Sequence, residues 1–537
     1  MSRTASPIVL ATLNAKYIHA SLGLRCLAAN MDLHGGAGLR AQTRIREFVI
    51  QQRPTQIVEE LLALQPRVIG LGIYIWNVVE TTQVVRLLKT LRPDIRIVLG
   101  GPEVSHEVEQ QEICRLADHV ITGWGDVSFA RLCRALLKLP GGGPQPLMKV
   151  IAGEQPALAE LALPYAEYTD QDLAQRLLYV EASRGCPFKC EFCLSSLDKT
   201  AWAFELDRFM AAMDALHLRG ARNFKFVDRT FNLKVDFSVR ILQFFLDRIK
   251  ATPDIFVHFE VVPDSLPDRL KALIAQFPAG SLQFEVGIQS FNPEVQQRIS
   301  RRQDNLKTAD NLRWLVGQSQ AHVHADLIFG LPGETLESFA AGFNRLHELA
   351  PHEIQFGILK RLRGTPITRH TDDFAMAYDP QTPYTILQTS TIDFATMQRI
   401  QRFARYWQMV ANSGRFALAL KLLLAPGSAF NHFLAFSDWL WQTTGKTHEF
   451  ALEKLVDLLF EHLTTVRLLD GDKVRAALLA DYSASGARAR PKCLAKLLDA
   501  GRAALPLAAS KNRAERQGRH LSQQAQQGEI RKAAAAA

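Results

Sequence analysis

From Ile8 to about Lys138, short β-branched runs alternate with longer stretches of helical periodicity. Residues 8–13, 40–44, 68–75, 95–99 and 119–122 read as strands, with helical patterns starting at Leu22, Gln56, Val79, Val104 and Val127. Five strands alternating with helices predict a doubly wound parallel sheet, a Rossmann-like α/β domain over residues 1–139. Gly141-Gly142-Gly143 and the prolines around it break the periodicity, so 140–175 reads as a linker. The β/α beat returns over 176–381, with strands predicted at 177–182, 223–228, 256–262, 282–288, 322–329 and 353–359, and six such units predict an open, partial (β/α)6 barrel. After about Thr382 the beat stops, and 382–505 reads as a helical domain whose aromatic residues Tyr406, Trp407, Trp439 and Trp441 suit a core better than the alternative, the lining of a substrate site.

In parallel α/β sheets ligands bind beyond the carboxyl ends of the strands, and the polar residues of this chain gather there. Asn14, Lys16, Tyr17 and His19 follow the first N-terminal strand. Gly100-Gly101-Pro102-Glu103 follows the fourth, and Gly123-Trp124-Gly125-Asp126 the fifth. Glycines there admit close backbone approach to a flat or phosphate-bearing ligand. In the second alternating region Asp228, Glu260, Glu285, Gln289 and Asp326 interrupt apolar runs at or near strand ends.

The first strand of that region leads into Arg184-Gly185-Cys186-Pro187-Phe188-Lys189-Cys190-Glu191-Phe192-Cys193. Three cysteines at this spacing can ligate one iron-sulfur cube and leave one iron open to a small molecule, whereas four thiolates close a cluster. Structural zinc usually needs a second half-site, and the chain has no second C-x2-C or C/H pair. Buried structural cysteines are the remaining alternative.

The loop resembles the C-x3-C-x-aromatic-C signature of the radical S-adenosylmethionine (SAM) superfamily, with Phe192 at the aromatic place. That resemblance implies a [4Fe-4S] cluster on Cys186, Cys190 and Cys193, with SAM on the open iron cleaved to a 5'-deoxyadenosyl radical. It also places Asp228 at the SAM amino group, Glu285 and Gln289 at the ribose, Asp326 beside the sugar and Phe192 near the adenine. Arg229 stands where many relatives carry a second acidic residue. The N-terminal layout resembles the cobalamin-binding domain that precedes many such cores. This implies a cobalamin slot involving Asn14, His19, Gly100, Gly101, Pro102, Gly123 and Gly125. The D-x-H-x-x-G motif is absent, because Tyr17 occupies the Asp position, so His19 as cobalt ligand and His19 as a backbone-bonded loop residue both stand. The helical domain is similar to an uncharacterised domain appended to one subgroup of cobalamin-type radical SAM proteins.

Composition narrows the setting. Seven scattered or loop-bound cysteines in 537 residues suit a reducing compartment, and no apolar run reaches the roughly 18 residues of a membrane span, so the expectation is a cytoplasmic protein. Of the net charge of +9, Lys511 to Lys532 supply six Lys/Arg against two Glu, leaving a mildly basic body and a basic, Gln-rich tail over 506–537 that reads as disordered. Nucleic acid is therefore an unlikely partner, the tail alone supporting it. The expected activity is cobalamin-dependent radical methylation of an unactivated carbon in a small-molecule substrate, fed by a reductant such as flavodoxin or ferredoxin. Oxidative cyclisation and a non-catalytic cobalamin or redox sensor are the alternatives.

Overall fold

The computed structural model describes residues 6–500, so the basic tail expected over 506–537 lies outside the described residues. The chain forms two compact units: Met1–Glu260 with Lys360–Arg369 and Tyr378–Thr385, and Val261–Leu359 with His370–Ala377 and Ile386–Ala537.

The first unit opens with β1 (Ile8–Asn14), β2 (Thr43–Val49), β3 (Val68–Gly72), β4 (Arg96–Gly100), β5 (His119–Thr122) and β6 (Val150–Ala152), hydrogen-bonded in the order β2-β1-β3-β4-β5-β6. All pairings are parallel. Every residue of β1 is buried, which requires cover on both faces of the sheet. Alternate side chains divide accordingly. Val9, Ala11 and Leu13 join one core with helices Pro54–Leu62 and Val78–Leu91. Ile8 and Leu10 join another with Leu22–Ala29 and Asp126–Leu136. The sheet is doubly wound, and its order reverses between β1 and β3, where such folds open a ligand crevice.

Three details depart from the sequence pattern. The second strand lies at 43–49 rather than 40–44, because Thr43 N and Oγ1 bond back to Arg40 O and Leu39 O and close a turn before it. A sixth strand, β6, lies within the stretch read as linker; only three residues long and largely exposed, it carries no alternation to detect. The helix expected from Val104 is reduced to a 3-10 turn, Pro102–Val104, and Glu112–Leu116. Glu107, at φ 51°, interrupts it.

The first unit continues with β7 (Leu178–Val180), β8 (Ser183–Arg184), β9 (Trp202–Ala203), β10 (Asn223–Phe226) and β11 (Phe256–Val261). β7, β10 and β11 are parallel neighbours, packed around Phe224, Phe226, Phe231, Phe245 and Phe259. The second unit holds β12 (Leu282–Gln289), β13 (His322–Phe329) and β14 (Glu353–Ile358), also parallel neighbours. In chain order β7, β10, β11, β12, β13 and β14 are the six strands of the partial (β/α)6 barrel.

Beyond the barrel strands the second unit is mainly helical, with Phe394–Val410, Ala417–Leu424, Ala429–Thr444, Leu452–Glu461 and Gly471–Ala484. Phe403, Trp407, Phe430 and Phe433 pack around Phe343 of the barrel helix Leu336–Glu348. Tyr406 and Trp407 are core residues as expected, while Trp441 is partly exposed beneath Arg402. Among the described residues no single helix is long and apolar enough to cross a membrane; Ala417–Leu424 and Ala429–Thr444 reach the length only jointly and meet at 104°.

Candidate functional site

The cysteine loop is a closed excursion from a two-residue ribbon. β8 and β9 pair antiparallel, Ser183 with Ala203 and Arg184 with Trp202, so residues 185–201 leave and return at one point. Gly185 makes the exit at φ +83°, where a Cβ would stand 2.7 Å from Ala201 N and 3.0 Å from Asp198 O. The backbone crossing therefore demands glycine. Cys186 N donates to Asp198 O (2.9 Å) and Cys193 N to Cys190 O (3.1 Å). Cys186 and Cys190 are buried, Cys193 is half-buried, and all three are free thiols. A loop held shut by its own backbone and offering three thiols suits a three-thiolate cluster. Phe192 is half-buried within it. Glu191, buried between two of the cysteines, is gripped by Arg369 (2.5 Å) and by Ile367 N on its backbone oxygen (3.0 Å).

Asp228, just beyond β10, accepts hydrogen bonds from Ala182 N (2.9 Å) and Ser183 Oγ (2.5 Å). Complete burial pushes its carboxyl up to about 7, against the downward pull of those two donors. The neighbouring Arg229 pairs with both oxygens of Glu260 (2.7 and 2.9 Å), so the residue that departs from the acidic pattern neutralises a carboxylate on the adjacent strand.

Arg184 ties this ribbon to the doubly wound sheet. Its guanidinium meets Asp126 (2.9 and 3.1 Å) at the start of the helix after β5, and Glu181 (2.7 and 2.9 Å). It lies over Trp124, whose Nε1 donates to Asp198 Oδ2 (2.8 Å). All three charged partners are nearly buried, and the paired carboxylates drive the Arg184 pKa further up despite its desolvation.

Around the sheet crevice, Asn14 Nδ2 donates to His19 O (2.8 Å) and Glu47 Oε1 (3.0 Å), shaping the loop after β1. His19 Nδ1 bonds the Tyr179 hydroxyl (2.8 Å). Partial burial, with Lys225 and Lys16 nearby, lowers the His19 pKa and favours the neutral ring. Gly101 takes φ +111°, and a Cβ on it would stand 2.4 Å from Ile73 O. Gly100 precedes it at the end of β4, and Pro102 starts the following turn. Gly123, at φ +72°, opens on space where a Cβ would touch nothing, and its N–H donates to Ser105 Oγ (3.1 Å). Gly125 precedes the helix at Asp126 and packs near Leu27. The pinched glycine after β4 and the open glycine after β5 make a side-chain-free cradle that fits a bulky, planar-plus-nucleotide cofactor such as cobalamin.

Glu103, next to Pro102, is buried and accepts from the Tyr384 hydroxyl (2.6 Å) and Arg363 Nε (3.0 Å). Arg363 and Arg361 also bind Glu107 (2.7 and 3.0 Å).

In the second unit, parallel register aligns Glu285 with His324 and Gly287 with Asp326, and β12 is bulged between Gly287 and Gln289. Gln289, at φ 71°, ends the strand. A Cβ on Gly287 would stand 2.6 Å from Gln289 Nε2, so the Gln289 amide lies over Gly287. Glu285 accepts from Gln355 Nε2 (3.4 Å) deeper along the strand. Glu334, which follows the β13 strand end and has no specific role assigned from the sequence, accepts from Ser290 Oγ (2.6 Å), and burial raises its carboxyl to about 7. Thus Cys186, Cys190, Cys193, Phe192, Asp228 and the crevice residues belong to the first unit, and Glu285, Gln289 and Asp326 to the second. Arg184, Asp198, Arg363 and Tyr384 were missed. Arg184 stands beside the Gly-Cys pair and was findable by position, whereas nothing in the local sequence marks the other three.

Fold and site define a radical SAM protein with a cobalamin-binding domain, and comparison with known proteins agrees. The B12 binding domain model matches residues 8–133 and the radical SAM superfamily model 180–345. A model described as a protein of unknown function (DUF4080) matches 372–535. The chain therefore carries a B12-binding domain, a radical SAM domain and this C-terminal domain; it is a radical SAM enzyme whose cofactors are a [4Fe-4S] cluster, SAM and cobalamin. It is 25% identical over 337 residues to an uncharacterized methyltransferase of Pyrococcus horikoshii, covering 58% of this chain and 70% of that one. It is 25% identical over 316 residues to the cobalamin-dependent radical SAM methyltransferase TokK of Streptomyces tokunonensis, covering 54% of this chain and 46% of that one. The fold matches the cobalamin-dependent SAM radical enzyme OxsB with a TM-score of 0.59 at 13% identity, over 92% of this chain and 83% of that chain.

Proposed function

We propose that this chain is a methyltransferase that adds a methyl group to an unactivated carbon of a small-molecule substrate. The observation that carries the reading is Arg184, which joins the helix after β5, beside the Gly123 cradle, to the strand that launches the cysteine loop. Bound together, the cofactors supply a deoxyadenosyl radical for hydrogen abstraction and a methyl donor, which is what carbon methylation needs.

In this reading Cys186, Cys190 and Cys193 hold the cluster, and Phe192 packs near the SAM adenine. Asp228 accepts a hydrogen bond from the SAM amino group. Gln289, at the end of β12, serves the ribose, with Asp326 on the neighbouring strand. Glu285, four residues before Gln289 on the same bulged strand, serves the ribose with it, its carboxylate oriented by Gln355 Nε2. Gly100, Gly101, Pro102, Gly123 and Gly125 admit the cobalamin tail, and Asn14 shapes the loop that presents His19. Tyr179 occupies His19 Nδ1 and leaves Nε2 as the nitrogen available to cobalt. Electrons come from a flavodoxin or ferredoxin.

The test is anaerobic reconstitution with iron, sulfide and hydroxocobalamin, followed by reduction with SAM and quantitation of its products. Formation of 5'-deoxyadenosine that disappears in Cys186→Ala, with S-adenosylhomocysteine alongside, supports methyl transfer. Deoxyadenosine without S-adenosylhomocysteine favours oxidative cyclisation. Full cofactor loading without SAM cleavage, with substrate-like extracts also present, overturns the enzyme reading in favour of a sensor.

A further inference from the structure

The amino-terminal ends of β13 and β14 carry a cluster of side chains that the proposed methyl transfer does not use. His322 and His324, two residues apart on β13, place their side chains on one face of the strand. Glu353, the first residue of β14, is aligned with His324 in the parallel register. One ligand atom from each of the three lies within 4.8 Å of the others. Glu353 Oε1 stands 3.4 Å from His324 Nε2 and 3.6 Å from His322 Nε2, with Glu353 and His322 buried and His324 nearly so.

Those two separations decide between the two arrangements available to buried imidazoles and a carboxylate. An imidazolium–carboxylate hydrogen bond closes to about 2.7–2.9 Å. Two donors each about 2.0–2.1 Å from a tetrahedral ion stand about 3.3–3.4 Å apart. The two separations from Glu353 are too wide for the first and close to the edge of a coordination tetrahedron, and the histidine ligand atoms, within 4.8 Å of each other, need only draw together around an ion. Consistently, His324 Nε2 is buried and makes no hydrogen bond.

The surroundings are those of metal-ligating histidines, whose second ring nitrogen is held by a polar side chain. His324 Nδ1 is flanked by the amides of Gln283 (3.1 Å) and Gln355 (2.9 Å). Both amides face Nδ1 with Nε2, and Gln355 Nε2 also donates to Glu285 Oε1; an imidazole ligating through Nε2 carries its proton on Nδ1, which the Gln283 amide accepts once turned oxygen-inward. The His352 ring packs 4.6 Å from His322, its Nδ1 fixed by Val323 N (3.0 Å), which locks the histidine layer from the other side.

We propose that His322, His324 and Glu353 form a second metal site, independent of the cysteine loop, for a divalent transition-metal ion of the zinc type, with water as the fourth ligand. Two nitrogens and one carboxylate oxygen are a donor set that suits zinc and ferrous iron and not calcium or magnesium. The site lies at the ends of β13 and β14 opposite to Phe329 and Ile358, where barrel strands serve stability rather than chemistry. Its role is to clamp the two strands together.

The test uses the full chain, reconstituted anaerobically with iron and sulfide and titrated with zinc, then separately with cobalt(II) as an optical reporter. The expected result is one equivalent of zinc beyond an unchanged iron content, a zinc-dependent rise in melting temperature, and a cobalt spectrum of nitrogen and oxygen ligation without thiolate charge transfer. His324→Asn and Glu353→Gln should each weaken zinc binding at least tenfold, while Cys186→Ala should leave it intact. The cobalt spectrum needs no variant, so a misfolded substitution does not blunt the test. Absence of stoichiometric zinc in the wild-type chain, a thiolate–cobalt band in place of the nitrogen/oxygen spectrum, or undiminished zinc binding by a folded His324→Asn overturns the proposal.

Discussion

Asp228 makes the cofactor-binding half of the barrel sensitive to pH, with a sign opposite to that of most carboxylates. Burial raises its pKa from an ordinary 3.8 to about 7, so between those values the folded chain holds a proton that the unfolded chain has released. Stability then falls as pH rises through this window, and the full cost of ionisation, about 4 kcal/mol, is reached above pH 7. Asp228→Asn removes that cost while keeping an oxygen for Ala182 N and an amide that can donate to Ser183 Oγ. Its stability advantage should therefore grow with pH, by about 2–3 kcal/mol between pH 5 and pH 8. In a unit of this size a kcal/mol moves the melting temperature by roughly 2–4 °C, so calorimetry of the cluster-free, SAM-free chain should show the gap between variant and wild type widening by roughly 5 °C or more. The same variant should bind SAM more weakly once the cluster is restored. A gap that stays constant from pH 5 to pH 8 would refute the burial argument, because a merely steric effect of the substitution does not titrate.

Arg184→Met leaves Asp126 and Glu181 buried without their cation, a loss of about 3–5 kcal/mol, to be read as a lower melting temperature together with poorer cobalamin retention; unchanged retention would remove Arg184 from the coupling of the two sites. Gly101→Ala forces a Cβ to 2.4 Å from Ile73 O at a φ of +111° and should cost at least about 1–3 kcal/mol, with the cobalamin absorption lost from the purified protein while iron content persists. Gly185→Ala should do the reverse, since its Cβ collides with the backbone that closes the cysteine loop: iron and sulfide incorporation falls while cobalamin still binds. Equal loss of both cofactors in either glycine variant would mean that the damage is to folding and not to the local cradle.

The division into a doubly wound domain, a partial barrel and helices was legible because fully buried strands write themselves as apolar runs and their covering helices as a 3.6-residue period. Residues 8–14, with every side chain buried, are the plainest case. β6 was not legible, because an exposed three-residue edge strand needs no hydrophobic pattern. The cysteine loop was legible by spacing alone, since three thiols on one cluster must come from one short stretch. His19 shows the limit: its place after β1 was evident, but its bond to Tyr179, 160 residues away, depends on β7 lying beside that loop. The histidine and glutamate cluster on β13 and β14 was hidden for the same reason, since the three residues carry no motif until the register brings them level.

The segment that returns after β14 explains why part of the distant chain belongs with the first unit. Lys360–Arg369 joins that unit through charge pairs made by three of its four arginines and lysines, with Arg361 and Arg363 reaching Glu103 and Glu107 and Arg369 reaching Glu191. Glu103 follows directly on the Gly-Gly-Pro turn of the cobalamin cradle, and Glu191 lies between two cluster cysteines. One ten-residue strap thus holds a carboxylate beside each cofactor position. The Glu103 carboxyl is raised by burial even with Arg363 and Tyr384 bound to it, so removing either partner leaves a desolvated group with less compensation than it has now. The two cofactor loops are therefore fixed relative to each other by side chains from a third place in the chain, as well as by Arg184. Loop positions so constrained are what transfer between two bound cofactors and one substrate requires, because misplacement by about 1 Å can cost about a hundredfold in rate.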